Sequence, residues 1–256
     1  MSKIKIWALS DLHLAFGVPS KTMEAFGSAW KGYAEKMSEN WKRLISADDL
    51  VLIPGDISWA MRLEEALIDL RWIDALPGQK IILKGNHDYW WGSASKLAQA
   101  LPPTIRFIQN NAITWNNVTI GGSRLWDTPE YHFNSYILFQ ENPLSKLKSS
   151  EEREREQEEA KKTFKKELER LKLSLCQLDP QAHTRIALTH YPPIGPHLEP
   201  SSASSILEQF NIDTCVFGHL HNVKPGSLPF GTSRGVHYVF SSCDYINFCP
   251  ILIKEI

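Results

Sequence analysis

The hydrophobic positions of this chain fall into short runs that are rich in β-branched residues. Nine such runs occupy residues 4–9, 50–53, 80–83, 105–108, 118–120, 186–189, 214–217, 236–240 and 251–253. Short apolar runs bounded by turn-forming residues are typical of buried β-strands. The pattern therefore predicts nine strands, spread over the whole length of the chain.

Longer segments between some of these runs carry apolar residues at helical spacing. Residues three and four positions apart share one face of an α-helix, so such a stripe indicates a helix that buries that face. One stripe comprises Phe26, Trp30, Tyr33, Met37, Trp41 and Leu44, and a second comprises Leu63, Leu67 and Leu70. Strands that alternate with helices predict a layered α/β architecture, which we expect to form a single domain over residues 1–256.

The segment 151–172 differs from the rest of the chain in its density of charge. It holds eight Glu residues and eight Lys or Arg residues. One apolar stripe runs along it, formed by Ala160, Phe164, Leu168, Leu171 and Leu175. We predict a charged helical insertion over residues 145–176. Three roles are open to it: a solvated helix that packs one face on the domain, a cap over the functional site, or an arm that binds a partner.

The formal charges of the chain nearly cancel, with 28 Lys and Arg residues, 29 Asp and Glu residues and a net charge of -1. A protein that coats duplex nucleic acid normally carries a basic excess, so this class is not favoured. The four cysteines include no Cys-x-x-Cys pair. They therefore indicate neither a zinc knuckle nor a disulfide framework, and they fit a reducing compartment.

No apolar run approaches the roughly 18 residues that a membrane helix needs. The apolar stretch at the start of the chain is too short for a signal peptide. We therefore expect a cytoplasmic protein without a membrane span. The sequence does not indicate an oligomeric state.

Metal-binding types of residue follow five of the predicted strands. The five motifs are Asp-Leu-His at 11–13, Gly-Asp at 55–56, Gly-Asn-His-Asp at 85–88, His190, and Gly-His-Leu-His at 218–221. In layered α/β folds the carboxyl ends of neighbouring strands meet at one rim, where ligands bind. Each motif alone is weak, but five in this arrangement predict a metal centre. The glycines before Asp56, Asn86 and His219 are expected to let the backbone bend tightly.

This pattern resembles the calcineurin-like metallophosphoesterase superfamily, whose signature is Asp-x-His, Gly-Asp, Gly-Asn-His-[Asp/Glu], a later His, and Gly-His-x-His. The resemblance spans residues 11–221 and lacks no signature position. It implies a four-layer fold in which two mixed β-sheets pack as a sandwich, flanked by helices, with two metal ions at the rim. By resemblance, the first metal would be bound by Asp11, His13 and His221, and the second by Asn86, His190 and His219. Asp56 would bridge both.

Imidazole, carboxylate and amide ligands without thiolate suit Mn, Fe, Zn, Co or Ni, and they do not select one of these metals. Two divalent ions with only Asp11 and Asp56 as ligand carboxylates leave a positive site, which attracts phosphate. A metal pair can hold a bridging hydroxide near neutral pH for in-line attack on phosphorus. The resemblance thus implies a dinuclear-metal-dependent phosphohydrolase.

Two residues of the third motif are candidates for proton transfer. In the family pattern His87 is not a ligand and faces the phosphate, so it is a candidate general acid for the leaving oxygen, with Asp88 orienting its ring. A plain phosphate contact is the alternative role of His87. Gly-Asn-His-Asp is widespread among the phosphodiesterases and nucleases of the superfamily, whereas its protein serine/threonine phosphatases typically carry Gly-Asn-His-Glu, so a protein phosphatase is not favoured. Among small substrates, we expect a phosphodiester in preference to a monoester.

Candidates for contact with the substrate lie near these motifs. Trp59, Tyr89, Trp90 and Trp91 are expected near the site mouth, where they would either stack on a ring of the substrate or pack. Arg124 is either a phosphate clamp or one half of a surface ion pair, and His197 either reaches the substrate or faces water. A small phosphorylated substrate fits these features, and a nucleotide is one candidate. The alternative is a non-catalytic interaction scaffold on the same fold.

Overall fold

Two β-sheets pack face to face in the computed structural model, which describes residues 3–138 and 149–256. The strands are β1 (Lys5–Ala8), β2 (Leu50–Ile53), β3 (Gln79–Leu83), β4 (Ile105–Ile108), β5 (Ile113–Trp115), β6 (Val118–Ser123), β7 (Thr184–Thr189), β8 (Thr214–Phe217), β9 (Thr232–Ser233), β10 (Val236–Phe240) and β11 (Ile251–Glu255). Sheet 1 has the order β11-β1-β2-β3-β4, and sheet 2 has the order β5-β6-β7-β8-β10-β9.

Both sheets are mixed, with a parallel centre. In sheet 1 the strands β1 to β4 are parallel, and β11 is antiparallel to β1. In sheet 2 the strands β6, β7, β8 and β10 are parallel, and β5 and β9 pair antiparallel at the two edges. All nine predicted strands are present. The two strands that the sequence did not predict, β5 and β9, are short edge strands with too few residues to show an apolar run.

Helices cover the outer faces of both sheets. They are α1 (Tyr33–Leu44), α2 (Leu63–Asp74), α3 (Ala94–Ala100), α4 (Ser150–Leu175) and α5 (Ser202–Gln209). The first predicted stripe forms α1 only from Tyr33 onward, because Phe26 and Trp30 lie in separate 3₁₀ turns. Gly27 and Gly32 interrupt the segment with φ of 125° and 62°, values outside the helical range.

Three hydrophobic clusters fill the spaces between the four layers. Alternate residues of a strand point to opposite faces, so Leu52 packs between the sheets while Val51 and Ile53 pack outward. The outward residues of sheet 1 contact α1 and α2 through Met37, Trp41, Leu70 and Ile73. The outward face of sheet 2 contacts α4 and α5 through Leu171, Leu175 and Leu207. The predicted sandwich of two mixed sheets flanked by helices is confirmed.

The helix α4 occupies most of the predicted insertion 145–176, of which residues 145–148 lie outside the described ranges. Its apolar stripe buries Phe164, Leu171 and Leu175. A side chain on Gly121 of β6 would come within 3.2 Å of Leu175 Cδ2, so the glycine allows α4 to lie close to the sheet. Among the described helices, none has both the length and the apolar character needed to cross a bilayer.

Candidate metal centre

The carboxyl ends of six parallel strands meet at one rim of the sandwich. There a parallel bridge pairs Ser10, after β1, with Ser242, after β10, and the backbone N–H of Ser10 donates to Ser241 O over 2.8 Å. This pairing joins the two sheets at the point where the predicted motifs emerge. The seven predicted metal ligands all lie at this rim, within contact distance of one another.

Three of the predicted ligands form one group. The ligand atoms of Asp11, His13 and His221 lie within 4.8 Å of one another. His13 Nε2 is 3.0 Å from His221 Nε2, which is 3.7 Å from Asp11 Oδ1. Two imidazole nitrogens and a carboxylate oxygen thus face a common point, as the resemblance implies for the first metal.

A second group consists of Asn86, His190 and His219. His190 Nε2 lies 2.7 Å from Asn86 Oδ1, and His219 Nδ1 lies 3.0 Å from the same oxygen. The two ring nitrogens are 3.3 Å apart. These three donors come from β3, β7 and β8, so both sheets contribute to the group.

Asp56 lies between the two groups. Its Oδ2 is 3.6 Å from His13 Nε2 and 3.4 Å from His190 Nε2. Its Oδ1 accepts a hydrogen bond from the backbone N–H of His87 over 2.9 Å, which fixes the carboxylate. This is the position that a bridging ligand requires.

Four of the seven ligand residues have a left-handed backbone. The φ angles are 59° at Asp11, 44° at His13, 51° at Asp56 and 74° at His219. Residues with a side chain adopt this region rarely and at a cost, and such residues cluster at functional sites. The sharp turns that follow the strands therefore serve to direct these side chains toward one another.

At two of the three positions, the glycine of the motif has a different role from the one that the sequence suggested. Gly55 does have a φ of 104°. A side chain on Gly85 would come within 2.0 Å of Asp56 Oδ1, and one on Gly218 within 2.1 Å of Asp11 Oδ2. Neither Gly85 nor Gly218 has a positive φ. The expectation of tight bends is corrected there, because these glycines leave room for the two carboxylates.

Both carboxylates are buried, but their environments differ. Burial raises the pKa of Asp11, although the backbone N–H of His219 and the hydroxyl of Ser242 donate to it. Burial would raise the pKa of Asp56 too, but the neighbouring His190 outweighs it and holds that pKa well below its usual range. A buried carboxylate needs a compensating cation, and bound metal ions would supply one.

Two of the histidine ligands are oriented by a hydrogen bond at their other nitrogen. His190 Nδ1 lies 3.0 Å from Pro54 O, and His221 Nδ1 lies 3.0 Å from Asp244 Oδ1. Such partners fix the ring orientation of metal-binding histidines. Sequence reasoning missed Asp244. The signal was the one used for the other motifs, since Ser-Ser-Cys-Asp directly follows β10.

The residues present fit a pair of divalent transition-metal ions. Donor separations near 3 Å are those expected around an ion with ligand bonds of about 2.1 Å. Burial lowers the pKa of His13 and of His219 well below the usual range, which leaves neutral rings with free lone pairs. The buried Nδ1 of His13 has no hydrogen-bond partner, and the ring is held by stacking on Trp59 at 4.8 Å. The donors do not select a metal.

His87 lies beside the ligands without contributing to either group. Its ring centre is 5.6 Å from that of His13 and 4.5 Å from that of Trp59. The expectation that Asp88 orients this ring is corrected. The buried Asp88 carboxylate instead accepts four hydrogen bonds, from the backbone N–H groups of Gly85, Ile57 and Ser58 and from the indole of Trp90. Asp88 therefore holds the two metal-binding loops together.

The aromatic residues near the motifs differ in their exposure to solvent. Trp90 is 3% exposed and packs in the core, so of its two expected roles the structure shows packing, and its candidacy for substrate contact is wrong. Trp91 is buried as well. One face of Trp59 is occupied by His13. Tyr89, which is 60% exposed, stays a candidate for substrate contact.

The side chains of the two remaining candidates have partners outside the ligand groups. Arg124 Nη2 is 3.3 Å from Glu167 Oε1, and the guanidinium stacks on Trp126 at 4.4 Å. Because Glu167 is buried, this ion pair is not the surface pair that was the alternative prediction. The exposed His197 lies 2.6 Å from Tyr136 Oη, and its substrate role stays a prediction.

An aromatic cavity that the sequence did not indicate opens beside the second ligand group. It has a volume of about 300 Å³ and is lined by Trp126, Tyr131, Phe133, Tyr191 and His219. The ring of Tyr191 lies 3.8 Å from that of His219. The cavity therefore borders the second ligand group through His219.

Comparison with solved structures gives matches along the whole chain. A protein of unknown function from Aquifex aeolicus has 16% identity, with 97% of this chain and 95% of that chain covered and a TM-score of 0.47. A phosphopantetheinyl hydrolase from Mycobacterium tuberculosis has 16% identity, with 98% and 96% covered and a TM-score of 0.52, which shows a shared fold. A calcineurin-like phosphoesterase from Bacillus subtilis has 14% identity, with 94% and 82% covered and a TM-score of 0.44. No curated protein matches the sequence.

Comparison with protein families identifies the chain. The family described as Calcineurin-like phosphoesterase matches residues 4–223, which include every one of the seven ligand positions. The match covers most of the 256 residues. It confirms the resemblance that the five motifs indicated. The chain belongs to the calcineurin-like phosphoesterase family and is a metal-dependent phosphoesterase.

Proposed function

We propose that this protein uses two metal ions to hydrolyse a small phosphorylated substrate, with a phosphodiester favoured over a monoester. The observation that carries the proposal is the position of Asp56, whose Oδ2 lies within 3.6 Å of a histidine nitrogen from each ligand group. One carboxylate shared by two groups of N and O donors supports a dinuclear centre.

Each group of residues has a distinct part in the proposed reaction. Two divalent ions bound by the seven ligands would lower the pKa of a water molecule and neutralise charge on the phosphoryl oxygens. The left-handed turns and the shared carboxylate hold the ligands in place before substrate arrives. His87 faces the same site and donates a proton to the leaving oxygen. Trp59 lies against His87 and fixes its ring.

The preference for a diester rests on the Gly-Asn-His-Asp motif at 85–88 and on the room beside the site. A diester carries a second organic group, and the aromatic cavity beside His219 is large enough to hold one. A nucleoside is among the groups that fit such a cavity. The mycobacterial structure of the same fold is described as a phosphopantetheinyl hydrolase.

Manganese and a cytoplasmic location complete the proposal. Manganese is compatible with the N and O donors. The four cysteines are free of disulfides, which suits a reducing compartment. The alternative of a non-catalytic scaffold has no observation in its favour, because the ligand residues converge.

The proposed function is tested by metal analysis together with hydrolysis of bis-p-nitrophenyl phosphate, p-nitrophenyl phosphate and a nucleotide panel. We expect about two metal ions per chain, chelator-sensitive activity and faster turnover of the diester with manganese. Asp56→Asn should lose activity and metal, whereas Asp48→Asn, at an exposed position on the chain, should retain both. Metal-free wild-type protein without hydrolysis would contradict the proposal, and faster turnover of the monoester would contradict its diester part.

A further inference from the structure

A second cavity opens at the same rim as the metal centre. It has a volume of about 170 Å³ and lies where the ends of β3, β4 and β6 meet α4. We call it the rim cavity and define it by six of its lining residues, which are Lys84, Trp91, Ser123, Arg124, Glu167 and Arg170. It is distinct from the aromatic cavity, which lies beside His219.

The rim cavity has an excess of positive charge. Three cationic side chains line it, and Glu167 is the one lining carboxylate. That carboxylate has a side-chain exposure of 3%, and its Oε1 lies 3.3 Å from Arg124 Nη2 and 2.6 Å from Arg170 Nη1. The Asp88 carboxylate also attracts the Lys84 ammonium electrostatically, but the oxygens of Asp88 already accept hydrogen bonds from four N–H donors. Cationic charge at the cavity therefore exceeds what the buried carboxylate neutralises.

Two of the donors in the rim cavity have unused capacity. The Nε of Arg124 is buried and has no hydrogen-bond partner, and a buried donor without a partner is costly. Within residues 3–138 and 149–256, the ammonium of Lys84 forms no hydrogen bond and no salt bridge. The ammonium of Lys84, with free N–H groups beside two guanidinium groups at a concave surface, forms a site for an oxyanion.

The rim cavity is adjacent to the second ligand group. Lys84 is two residues before the ligand Asn86 on the same strand end. The carbonyl oxygen of Arg124 accepts hydrogen bonds from the backbone N–H groups of His190 and Tyr191, over 3.1 and 3.0 Å. The cavity is thus fixed to the same backbone segments that position His190 and Asn86.

We propose that the rim cavity binds a second phosphate group of the substrate, so that the natural substrate carries one phosphate at the metal centre and another in this cavity. The volume suits a phosphate with a few water molecules, each taking roughly 30 Å³. This inference rests on the proposed phosphoesterase function and adds the substrate class to it. It also gives α4 a role, because Glu167 and Arg170 belong to that helix.

The test compares matched substrates on the metal-loaded enzyme. The probes are p-nitrophenyl phosphodiesters whose second ester is a short alkyl chain, of varied length, that ends in either a phosphate or a hydroxyl group. We expect the terminal phosphate to lower KM by about tenfold or more at one chain length, since hydrogen bonds to charged groups are strong. Calorimetry with the corresponding non-hydrolysable phosphonates should show the same gain in affinity.

Substitutions in the rim cavity test whether the gain from the terminal phosphate arises there. Lys84→Met and Arg170→Met should remove the gain from the terminal phosphate, so that each variant has the same KM for the phosphate-ended and the hydroxyl-ended probe. Lys42→Met removes the same charge from the exposed face of α1, outside the cavity lining, and should keep the gain. Circular dichroism of each variant checks the fold.

The outcomes separate this inference from the function on which it rests. If the hydroxyl-ended probe is not hydrolysed, the proposed function fails. If that probe is hydrolysed but the terminal phosphate brings no gain at any chain length, the rim cavity is a structural ion-pair cluster that fastens α4, and the inference is wrong. A gain that survives Lys84→Met and Arg170→Met would likewise overturn it.

Discussion

The carboxylate of Asp244 lies 3.0 Å from Nδ1 of His221, and its second oxygen accepts the backbone N–H of Asn222 over 2.9 Å. Burial would raise the pKa of Asp244, but the bond to His221 outweighs burial and lowers it, so the group is a carboxylate at neutral pH. The contact turns the other ring nitrogen of His221 toward Asp11 and His13. Asp244 is therefore the residue that positions one ligand of the first group.

Replacing Asp244 with asparagine should weaken metal binding at the first group. Loss of such a partner typically reduces metal affinity by about 10- to 100-fold, because the ring loses its fixed orientation and some of its basicity. Competition with a chromogenic chelator measures the affinity. Asp48→Asn, a change on the exposed surface, serves as the control. Unchanged metal affinity in Asp244→Asn would show that the His221 ring is held by packing alone.

Gly85→Ala should inactivate the enzyme by displacing Asp56. The added methyl group would come within 2.0 Å of Asp56 Oδ1 and 2.2 Å of its backbone nitrogen, where a carbon cannot fit. A displacement of about 1 Å in catalytic machinery can reduce activity about 100-fold, and we expect at least this loss in kcat/KM.

The matched control for this change is Gly231→Ala. A methyl group at Gly231 meets no heavy atom within 4 Å, and its φ is not positive. That variant should keep normal kinetics and metal content. Full activity in Gly85→Ala would mean that the bridging position of Asp56 is not required.

His87→Ala should keep both metals and lose turnover, with a loss that depends on the leaving group. General acid catalysis contributes about 100-fold or more, and an alkoxide leaving group needs the proton more than p-nitrophenolate does. The measurement is kcat for an alkyl diester and for bis-p-nitrophenyl phosphate, with metal content checked by mass spectrometry. Equal losses for the two substrates would identify His87 as a phosphate contact instead of an acid.

A buried lysine away from the metal centre gives a prediction for pH. Lys80 on β3 is fully buried, and its ammonium donates to Leu76 O, to Asp74 O at 3.3 Å and to Thr104 Oγ1 at 3.2 Å. Burial lowers the pKa of Lys80 to about 8, with Asp74 opposing the change. Between that value and the unfolded value of 10.5 the unfolded chain binds more protons than the folded chain.

Stability should therefore rise with pH above about 8, since the free energy of unfolding increases wherever the unfolded state holds more protons. Lys80→Met has no such group, so its free energy of unfolding should lack this rise. Urea denaturation of both proteins at pH 7.5 and pH 10 measures the difference. Parallel pH profiles for the two proteins would show that the ammonium keeps its ordinary pKa in the fold.

Much of the fold was predictable because the strands are buried on both faces and so form continuous apolar runs. The run at 50–53, for example, corresponds to β2 without a shift at either end. The position of the candidate ligands was predictable for a related reason, since a polar residue directly after a buried strand has to lie at the rim, whereas their assignment to two metals came from the family resemblance. His190, for example, was identified from its position after a predicted strand, without a longer motif.

The features that the sequence did not predict depend on tertiary contacts, which leave no pattern in the local sequence. Tyr89 and Trp90 are adjacent aromatic residues, yet Trp90 is buried against Asp88 and Tyr89 is exposed. Only the course of the loop determines this difference. The role of Gly85 follows from the approach of Asp56, which lies 29 positions earlier in the chain. The pairing of Arg124 with Glu167 spans 43 residues in the same way.

The origin of the ligands in both sheets has a thermodynamic consequence. Asp11, His13, Asp56 and Asn86 follow strands of sheet 1, whereas His190, His219 and His221 follow strands of sheet 2. Ions bound jointly by these residues would connect the two halves of the sandwich at one edge. The free energy of ion binding would then add to the free energy of unfolding, because the unfolded chain cannot bring the seven donors together.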